Sequence, residues 1–158
     1  MFGFAKAQDD SIHNVQSVKV SYRIISYAYE KTISKKSTIN FEFSLTGVFG
    51  SDYYLLKPVI RVEPRYYYNY LKRKDKGRNV ANNSASYLSL SLDYDSRTIF
   101  SKNAYSIPFF SAIPKWGLKR TICSHFIFEF ATGIGAFISK TENWKPTFGM
   151  DLKFGYVI

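Results

Sequence analysis

Residues 148–158 read FGMDLKFGYVI, and every second side chain in this stretch is large and apolar. The positions between them are small or charged, apart from Val157. An alternation with a period of two, sustained over 11 residues, predicts a β-strand with one apolar and one polar face. The fold therefore depends on where this pattern recurs and on which face points inward.

The same alternation recurs along the rest of the chain. It is clear in residues 39–49, 84–94 and 125–138, longest in residues 56–70, and weaker in residues 105–118. Residues 18–30 change phase between Ile24 and Ile25, which leaves open whether this segment forms one bulged strand or two short strands. Seven or eight strands in a chain of 158 residues predict an all-β barrel or sandwich.

Composition narrows the class of protein. The 158 residues have the length of one domain, and 46% hydrophobic with 18% aromatic residues argues against disorder. A single cysteine, Cys123, excludes an internal disulfide framework, and two histidines, His13 and His125, are too few for a His-based metal site. The sequence contains no apolar run long enough for a transmembrane helix.

The polar faces of the predicted strands suit the interior of a narrow barrel. They carry many small residues: Ser44, Thr46, Ser89, Ser91, Ala131, Gly133, Gly135, Gly149 and Gly155. Small side chains fit the crowded lumen of a barrel of about 8 strands, and the apolar faces then point outward, as in membrane barrels. The sequence thus predicts an all-β fold, a closed antiparallel transmembrane β-barrel of about 8 strands.

Charges on the predicted strands nearly balance, although the whole chain carries a formal net charge of +10. The bases are Lys19, Arg23, Lys57, Arg61, Arg65, Lys115 and Lys153, and the acids are Glu30, Glu42, Glu63, Asp93, Glu129 and Asp151. Because buried charges must be paired, this balance predicts an ion network in the lumen. We assign the network to Lys57, Arg61, Glu63, Arg65, Glu42, Asp93, Glu129, Asp151 and Lys153.

Aromatic side chains gather near the ends of the predicted strands. The set most typical of a membrane interface is Tyr66, Tyr68, Tyr70, Trp116 and Trp144. Membrane barrels carry aromatic girdles because the ring bodies suit the acyl boundary and the polar tips suit water. The alternative is a soluble all-β protein, a sandwich or a lipocalin-like barrel, whose apolar faces point inward.

Three stretches carry a family resemblance. They are residues 62–70, VEPRYYYNY, continuing to Asn83-Ser84-Ala85; residues 113–120, IPKWGLKR, followed by His125 and Glu129; and residues 154–156, FGY. Over roughly residues 18–158 the chain resembles small outer-membrane β-barrel proteins of Bacteroidetes-type Gram-negative bacteria. The resemblance implies a bacterial outer-membrane location, a signal peptide, insertion by the barrel-assembly machinery, and contact with outer-membrane lipids and lipopolysaccharide. It implies no particular activity.

The N-terminus fits the end of a signal peptide. Residues 5–7, AKA, match the small-x-small pattern at a cleavage site, with Gln8 as the first mature residue. An ordinary disordered N-terminus is the alternative. We therefore divide the chain into residues 1–17, a residual signal-peptide end and disordered N-terminus, and residues 18–158, a single outer-membrane β-barrel domain.

Positive charge concentrates at one end of the predicted barrel. With the C-terminus in the periplasm, as the resemblance implies, the periplasmic connections 31–38, 71–83 and 119–124 carry a net +9. The outer connections 50–55, 95–104 and 139–146 carry a net +1. The basic rim comprises Lys72, Arg73, Lys74, Lys76 and Arg78. These residues either solubilise turns and pair with anionic lipid headgroups, or dock an acidic periplasmic or membrane protein partner. No nucleic-acid partner is expected, because the cluster lacks a recognition fold.

Catalytic signals are weak. Ser124 and His125 are adjacent, but by strand parity His125 and Glu129 face the lumen while Ser124 faces away. We expect no catalytic residues, no enzyme activity and no cofactor. The leading interpretation is an integral outer-membrane barrel with a structural or interaction role and a lumen plugged by charged side chains. The alternatives are a narrow pore or small-solute transporter, a lipid-modifying barrel enzyme, and a soluble lipocalin-like binder.

Overall fold

Eight long antiparallel strands close into a barrel in the computed structural model, which describes residues 12–158. The strands are β1 (Val15–Ser21), β2 (Ile24–Ser34), β3 (Ser37–Phe49), β4 (Tyr54–Tyr66), β5 (Ser86–Asp95), a short β6 (Phe100–Lys102), β7 (Phe109–Thr121), β8 (Phe126–Ser139) and β9 (Lys145–Val157). Consecutive long strands pair with each other, β1 pairs with β9 to complete the ring, and β6 adds to β4. The predicted closed antiparallel all-β barrel is confirmed.

The alternation in the sequence becomes an alternation between outside and inside. The register of β3 with β4 is unbroken, from Ser37 opposite Tyr66 to Phe49 opposite Tyr54. Within it Phe43 is exposed and Glu42 is buried. A slip of one residue would exchange the two faces, so the continuous register fixes which side chains line the lumen.

Strand β4 is shorter than the alternation of residues 56–70 predicts, because it ends at Tyr66. Pro58 and Pro64 do not disturb its register with β3. On the other side, the pairing of β4 with β5 is interrupted at Glu63 and Pro64. Proline has no amide hydrogen to donate, so this gap accommodates Pro64 within a closed barrel.

Residues 18–30 form two strands rather than one. Strand β1 ends at Ser21 and β2 begins at Ile24, so Tyr22 and Arg23 make the connecting turn. Arg23 adopts a positive φ of 61° and is exposed, with its guanidinium 4.9 Å from the centre of the Tyr22 ring. The sequence count that placed Arg23 among the strand charges is therefore wrong, because this residue belongs to a turn.

The up-and-down order of the strands divides the connections between two ends. One end carries the start of β1, the end of β9, and residues 35–36, 67–85 and 122–125; we call it the capped end. The other carries residues 22–23, 50–53, 96–108 and 140–144, and we call it the open end. The predicted grouping of the connections agrees with this order.

Residues 67–85 form a cap over one mouth of the barrel. The cap contains helix α1 (Tyr70–Asp75) and a 3₁₀ turn (Ala81–Asn83). It supplies most of a buried apolar cluster made of Ile12, Tyr67, Tyr70, Val80, Ala85, Tyr87 and Ala131. Within residues 12–158, no helix is long and apolar enough to cross a membrane.

The cap holds the chain in front of β1 in place. The side chain of Asn83 accepts a hydrogen bond from the His13 amide at 3.1 Å and donates one to the His13 carbonyl at 2.8 Å. Ile12 is buried and β1 starts at Val15. The expected boundary at residue 18 is therefore too late, because these cap contacts order residues 12–17. The predicted cleavage site at residues 5–7 lies outside the described residues.

Two glycines allow β8 to approach β7 closely. A Cβ at Gly133 would overlap the carbonyl oxygen of Pro114, and one at Gly135 would overlap that of Ala112. Backbone carbonyls in a paired strand cannot move aside without loss of the pairing. Gly133 and Gly135 are therefore required by the spacing of the two strands.

We expect Gly133→Ala to lower the free energy of unfolding by about 1–3 kcal/mol, because the added methyl group overpacks the β7–β8 interface. Urea unfolding followed by tryptophan fluorescence measures the change. Gly149→Ala is the matched control, since the atoms nearest to its Cβ would be in the flexible side chains of Ile113 and Lys115, at 3.0 Å, rather than in a backbone. Equal destabilisation by both substitutions would contradict the explanation.

Candidate functional site

The barrel interior contains a charge-balanced ion network. Among the residues that the structure describes, seven bases and seven acids take part: Lys19, Lys57, Arg61, Arg65, Lys115, Lys119 and Lys153 with Glu30, Glu42, Glu63, Asp93, Asp95, Glu129 and Asp151. The net interior charge is therefore zero, so the formal +10 of the chain is carried outside the lumen. Two groups of these residues can be distinguished by depth.

The first group, the inner cluster, lies next to the cap and consists of Lys19, Glu30, Glu63, Arg65, Lys119 and Glu129. Arg65 is its centre. The guanidinium donates from Nε and Nη2 to Glu63 Oε2 at 3.0 and 2.7 Å, and from Nη1 to Glu129 Oε1 at 3.3 Å. Its flat face lies 4.6 Å from the centre of the Tyr87 ring. Arg65 thus joins two carboxylates and an aromatic ring from three strands.

Two lysines complete the inner cluster. Lys19 Nζ lies 2.9 Å from Glu129 Oε2, and Lys119 Nζ lies 2.7 Å from Glu30 Oε2. The Tyr67 hydroxyl donates to Glu30 Oε1 at 2.6 Å, which ties the cap to the network. Burial and the nearby Glu30 raise the pKa of Tyr67 well above its ordinary value, so the phenol remains a hydrogen-bond donor.

The inner cluster fills its level of the lumen. No more than 4% of any of its charged side chains is exposed. Tyr67 and Tyr70 of the cap are also buried. Side chains and cap together therefore close the barrel at the capped end.

The second group, the vestibule cluster, lies toward the open end and consists of Glu42, Lys57, Arg61, Asp93, Asp95, Lys115, Asp151 and Lys153. Arg61 bonds both oxygens of Asp93, at 2.6 and 3.1 Å, and Asp151 at 3.0 Å. Lys115 contacts Asp151 at 2.7 Å, Lys153 contacts Glu42 at 2.6 Å, and Lys57 pairs with Asp95. Each cation thus has a carboxylate partner.

Two cavities open above the vestibule cluster. Their volumes are about 250 and 210 Å³, and both are lined by Arg61, Asp93, Asp95 and Asp151. The carboxylates and bases in their walls are already paired with one another. The vestibule is therefore polar and water-accessible, and the inner cluster forms its floor.

The structure places all nine predicted network residues in the interior. Sequence reasoning placed Asp95 and Lys119 in loops, although β5 and β7 continue through them. The alternation itself indicates their position, because Asp95 is two residues after the lumen-facing Asp93 and Lys119 is four residues after the lumen-facing Lys115. Tyr67, too, continues the inward parity of Arg65 beyond the end of β4.

The aromatic set divides into exposed and buried members. Tyr66, Tyr68, Trp116 and Trp144 are exposed on the outside, and Trp116 Nε1 donates to the Tyr68 hydroxyl at 2.9 Å. Tyr70 is 1% exposed, so its assignment to a girdle is wrong. Helix α1 begins at Tyr70 and breaks the strand alternation, and the ring enters the apolar cluster of the cap.

The basic rim belongs to the cap. Lys72, Arg73 and Lys74 lie on α1, and Lys76 and Arg78 follow it. Arg73 donates to the carbonyl oxygens of Ser84 and Asn79, both at 3.0 Å. Partial burial and the neighbouring Arg78, whose amide donates to the Arg73 carbonyl oxygen at 2.9 Å, lower the pKa of Arg73.

The residues weighed for a catalytic triad lie apart. His125 is in an exposed turn beside Cys123, and its ring stacks on Tyr156 with 5.6 Å between centres. Glu129 is buried and bonded to Lys19 and Arg65. The expectation that His125 faces the lumen is wrong, because β8 begins only at Phe126.

Neither a metal-binding group in the described residues nor a similar known protein indicates a function. In residues 12–158, no three or more His, Cys, Asp or Glu side chains are grouped so that they could hold a metal ion. Comparison with protein-family models, with curated proteins and with solved structures finds no match for this chain.

We expect Arg65→Met to lower the free energy of unfolding by about 3–5 kcal/mol, because it leaves buried carboxylates without their shared cation. Urea unfolding monitored by tryptophan fluorescence measures the loss. Arg23→Met removes the same charge from an exposed turn and serves as the control, with a change within about 0.5 kcal/mol. A change of similar size in both variants would show that the inner cluster is not what stabilises the barrel.

Proposed function

We propose that the protein is an integral outer-membrane β-barrel with a structural or interaction role, and that its lumen is plugged by the ion network. One observation carries the proposal: the polarity of the barrel is inverted. Charged side chains lie inside, and large apolar side chains cover the outside. A soluble barrel has the opposite arrangement, with its apolar face in the core and its polar face in water.

The exposed apolar surface surrounds the barrel. Side chains that are at least 37% exposed occur on every long strand: Val18, Val20, Ile25, Tyr27, Phe41, Phe43, Ile60, Leu88, Leu90, Tyr94, Phe110, Trp116, Phe126, Ile134, Phe148, Met150, Leu152 and Phe154. Soluble monomers rarely expose a large continuous apolar surface. Contact of this apolar surface with lipid acyl chains is favourable, whereas its contact with water is not.

The length of the strands fits a bilayer. Strands β3, β4, β7 and β9 have 13 residues each, which corresponds to about 43 Å of extended chain. At the tilt of about 40° that is common in such barrels, this length covers about 33 Å along the barrel axis. The apolar band of outer-membrane barrels is about 25 Å tall, so these four strands are long enough to span it.

The filled lumen favours a structural or interaction role over transport. The vestibule ends on the buried inner cluster, and the cap closes the opposite mouth. We place the capped end in the periplasm, following the sequence resemblance, together with insertion by the barrel-assembly machinery and contact with outer-membrane lipids and lipopolysaccharide. No enzymatic step is part of the proposal.

The two tryptophans of the chain provide a direct test of membrane insertion. In vesicles whose acyl chains carry bromine, we expect quenching of Trp116 and Trp144, measured separately in Trp144→Phe and Trp116→Phe variants. We also expect an unboiled band that migrates differently from the boiled band on a detergent gel. A protein that stays in the aqueous fraction, with no quenching and no band shift, would refute the proposal and favour a soluble binder.

Planar-bilayer recording separates a plugged barrel from a narrow pore. We expect no steady conductance, because the inner cluster and the cap fill the lumen. Protein recovered from the same bilayers and tested for the unboiled band controls for insertion. Steady single-channel currents from the wild-type protein would favour the pore.

A further inference from the structure

Three arginines at the edge of the capped end, Arg73, Arg78 and Arg120, lie together without an acid. Arg73 and Arg120 bond Ser84 and Ser86, which are two residues apart in the chain, and the Arg78 amide donates to the Arg73 carbonyl oxygen at 2.9 Å. Across residues 12–158, none of the three forms an ion pair with a carboxylate. The interior cations all have such partners, whereas the charge of these three arginines is not compensated by an ion pair within the described residues.

Two of the guanidiniums are held by neutral acceptors. Arg73 bonds the carbonyl oxygens of Ser84 and Asn79, and Arg120 bonds the Lys119 carbonyl at 2.8 Å and the Ser86 hydroxyl at 3.3 Å. These bonds fix the orientation of the side chains but leave their charge unneutralised. A guanidinium has five N–H donors, so donors remain for an anion with several oxygens.

The position of Arg120 identifies the kind of anion. Arg120 and Trp116 share the outward parity of β7, and the separation of four residues corresponds to about 13 Å along the strand. Trp116 Nε1 donates to the Tyr68 hydroxyl at 2.9 Å. An aromatic pair of this kind marks the boundary between acyl chains and headgroups, and the guanidiniums lie just beyond it, toward the capped end.

We propose that Arg73, Arg78 and Arg120 bind the phosphate of an anionic phospholipid in the leaflet at the capped end, with Tyr68 and Trp116 against its glycerol and upper acyl region. The inference rests on the proposed membrane location and adds a ligand class to the basic rim. Guanidinium groups match the geometry of phosphate oxygens by paired hydrogen bonds. The lipid thus supplies the negative charge that the described chain does not.

The test uses the full chain with Trp144→Phe, so that Trp116 is the one fluorescent reporter. The protein is placed in phosphatidylcholine vesicles that contain a minor fraction of phosphatidylglycerol, and bromine is put either on the phosphatidylcholine or on the phosphatidylglycerol. A basic residue near an anionic surface gains about 1 kcal/mol, so we expect phosphatidylglycerol to be enriched at Trp116 by about fivefold or more.

Arg73→Gln, Arg78→Gln and Arg120→Gln together are expected to reduce this enrichment to about the level of the bulk lipid. Lys31→Gln, Lys35→Gln and Lys36→Gln remove the same charge from the same end of the barrel and are expected to retain most of it. Because Arg73 and Arg120 also bond the backbone, the exposed Arg78 is tested alone as well, and the unboiled band verifies that each variant is folded.

The outcomes distinguish this inference from the membrane proposal. If neither brominated lipid quenches Trp116, the membrane proposal itself fails. If both lipids quench it in proportion to their abundance, the protein is in the bilayer but the phosphate site is refuted. Loss of the enrichment on addition of millimolar inorganic phosphate at constant ionic strength would assign the site to a free anion rather than to a lipid.

Discussion

Neutralisation of charge inside a closed barrel is the constraint on which the rest of this structure depends. Arg65 lies between Glu63 and Glu129 with almost no exposure to solvent, a state that is tolerable only if every neighbouring charge is paired. The pairing needs carboxylates from β4 and β8 and bases from β1 and β7 at one level. Closure of the ring therefore buries these charges, and it also brings together the partners that compensate for their loss of solvation.

The same constraint explains the outside of the molecule. Because alternate residues of every strand face the polar lumen, the residues between them face outward. Most of these outward residues are large and apolar. A barrel of this width has no room for a second, apolar core of normal size. The buried apolar cluster of the described residues lies instead at the cap, around Tyr67, Tyr70 and Tyr87.

The cap gives the two ends of the barrel different properties. At the open end the network is reached by water in a shallow vestibule, whereas at the capped end Tyr67 and Asn83 bond Glu30 directly and seal it. The surplus positive charge gathers on the outer side of that cap. In the proposed membrane location, a closed lumen and a charged rim suit contacts with lipids or proteins better than passage of solutes.

The sequence alone indicated most of the strands and which residues share a face, because an alternation of period two is a local property of residues such as 125–138 and 148–158. It predicted that the polar faces turn inward, and the closed barrel confirms this orientation. It also indicated the ion network, since strand charges near balance imply pairing. Only the tertiary structure decided where β4, β5 and β7 end, and so the places of Tyr70, Asp95 and Lys119. It also decided which acid meets which base, because ring closure joins residues as distant as Lys19 and Glu129, 110 positions apart.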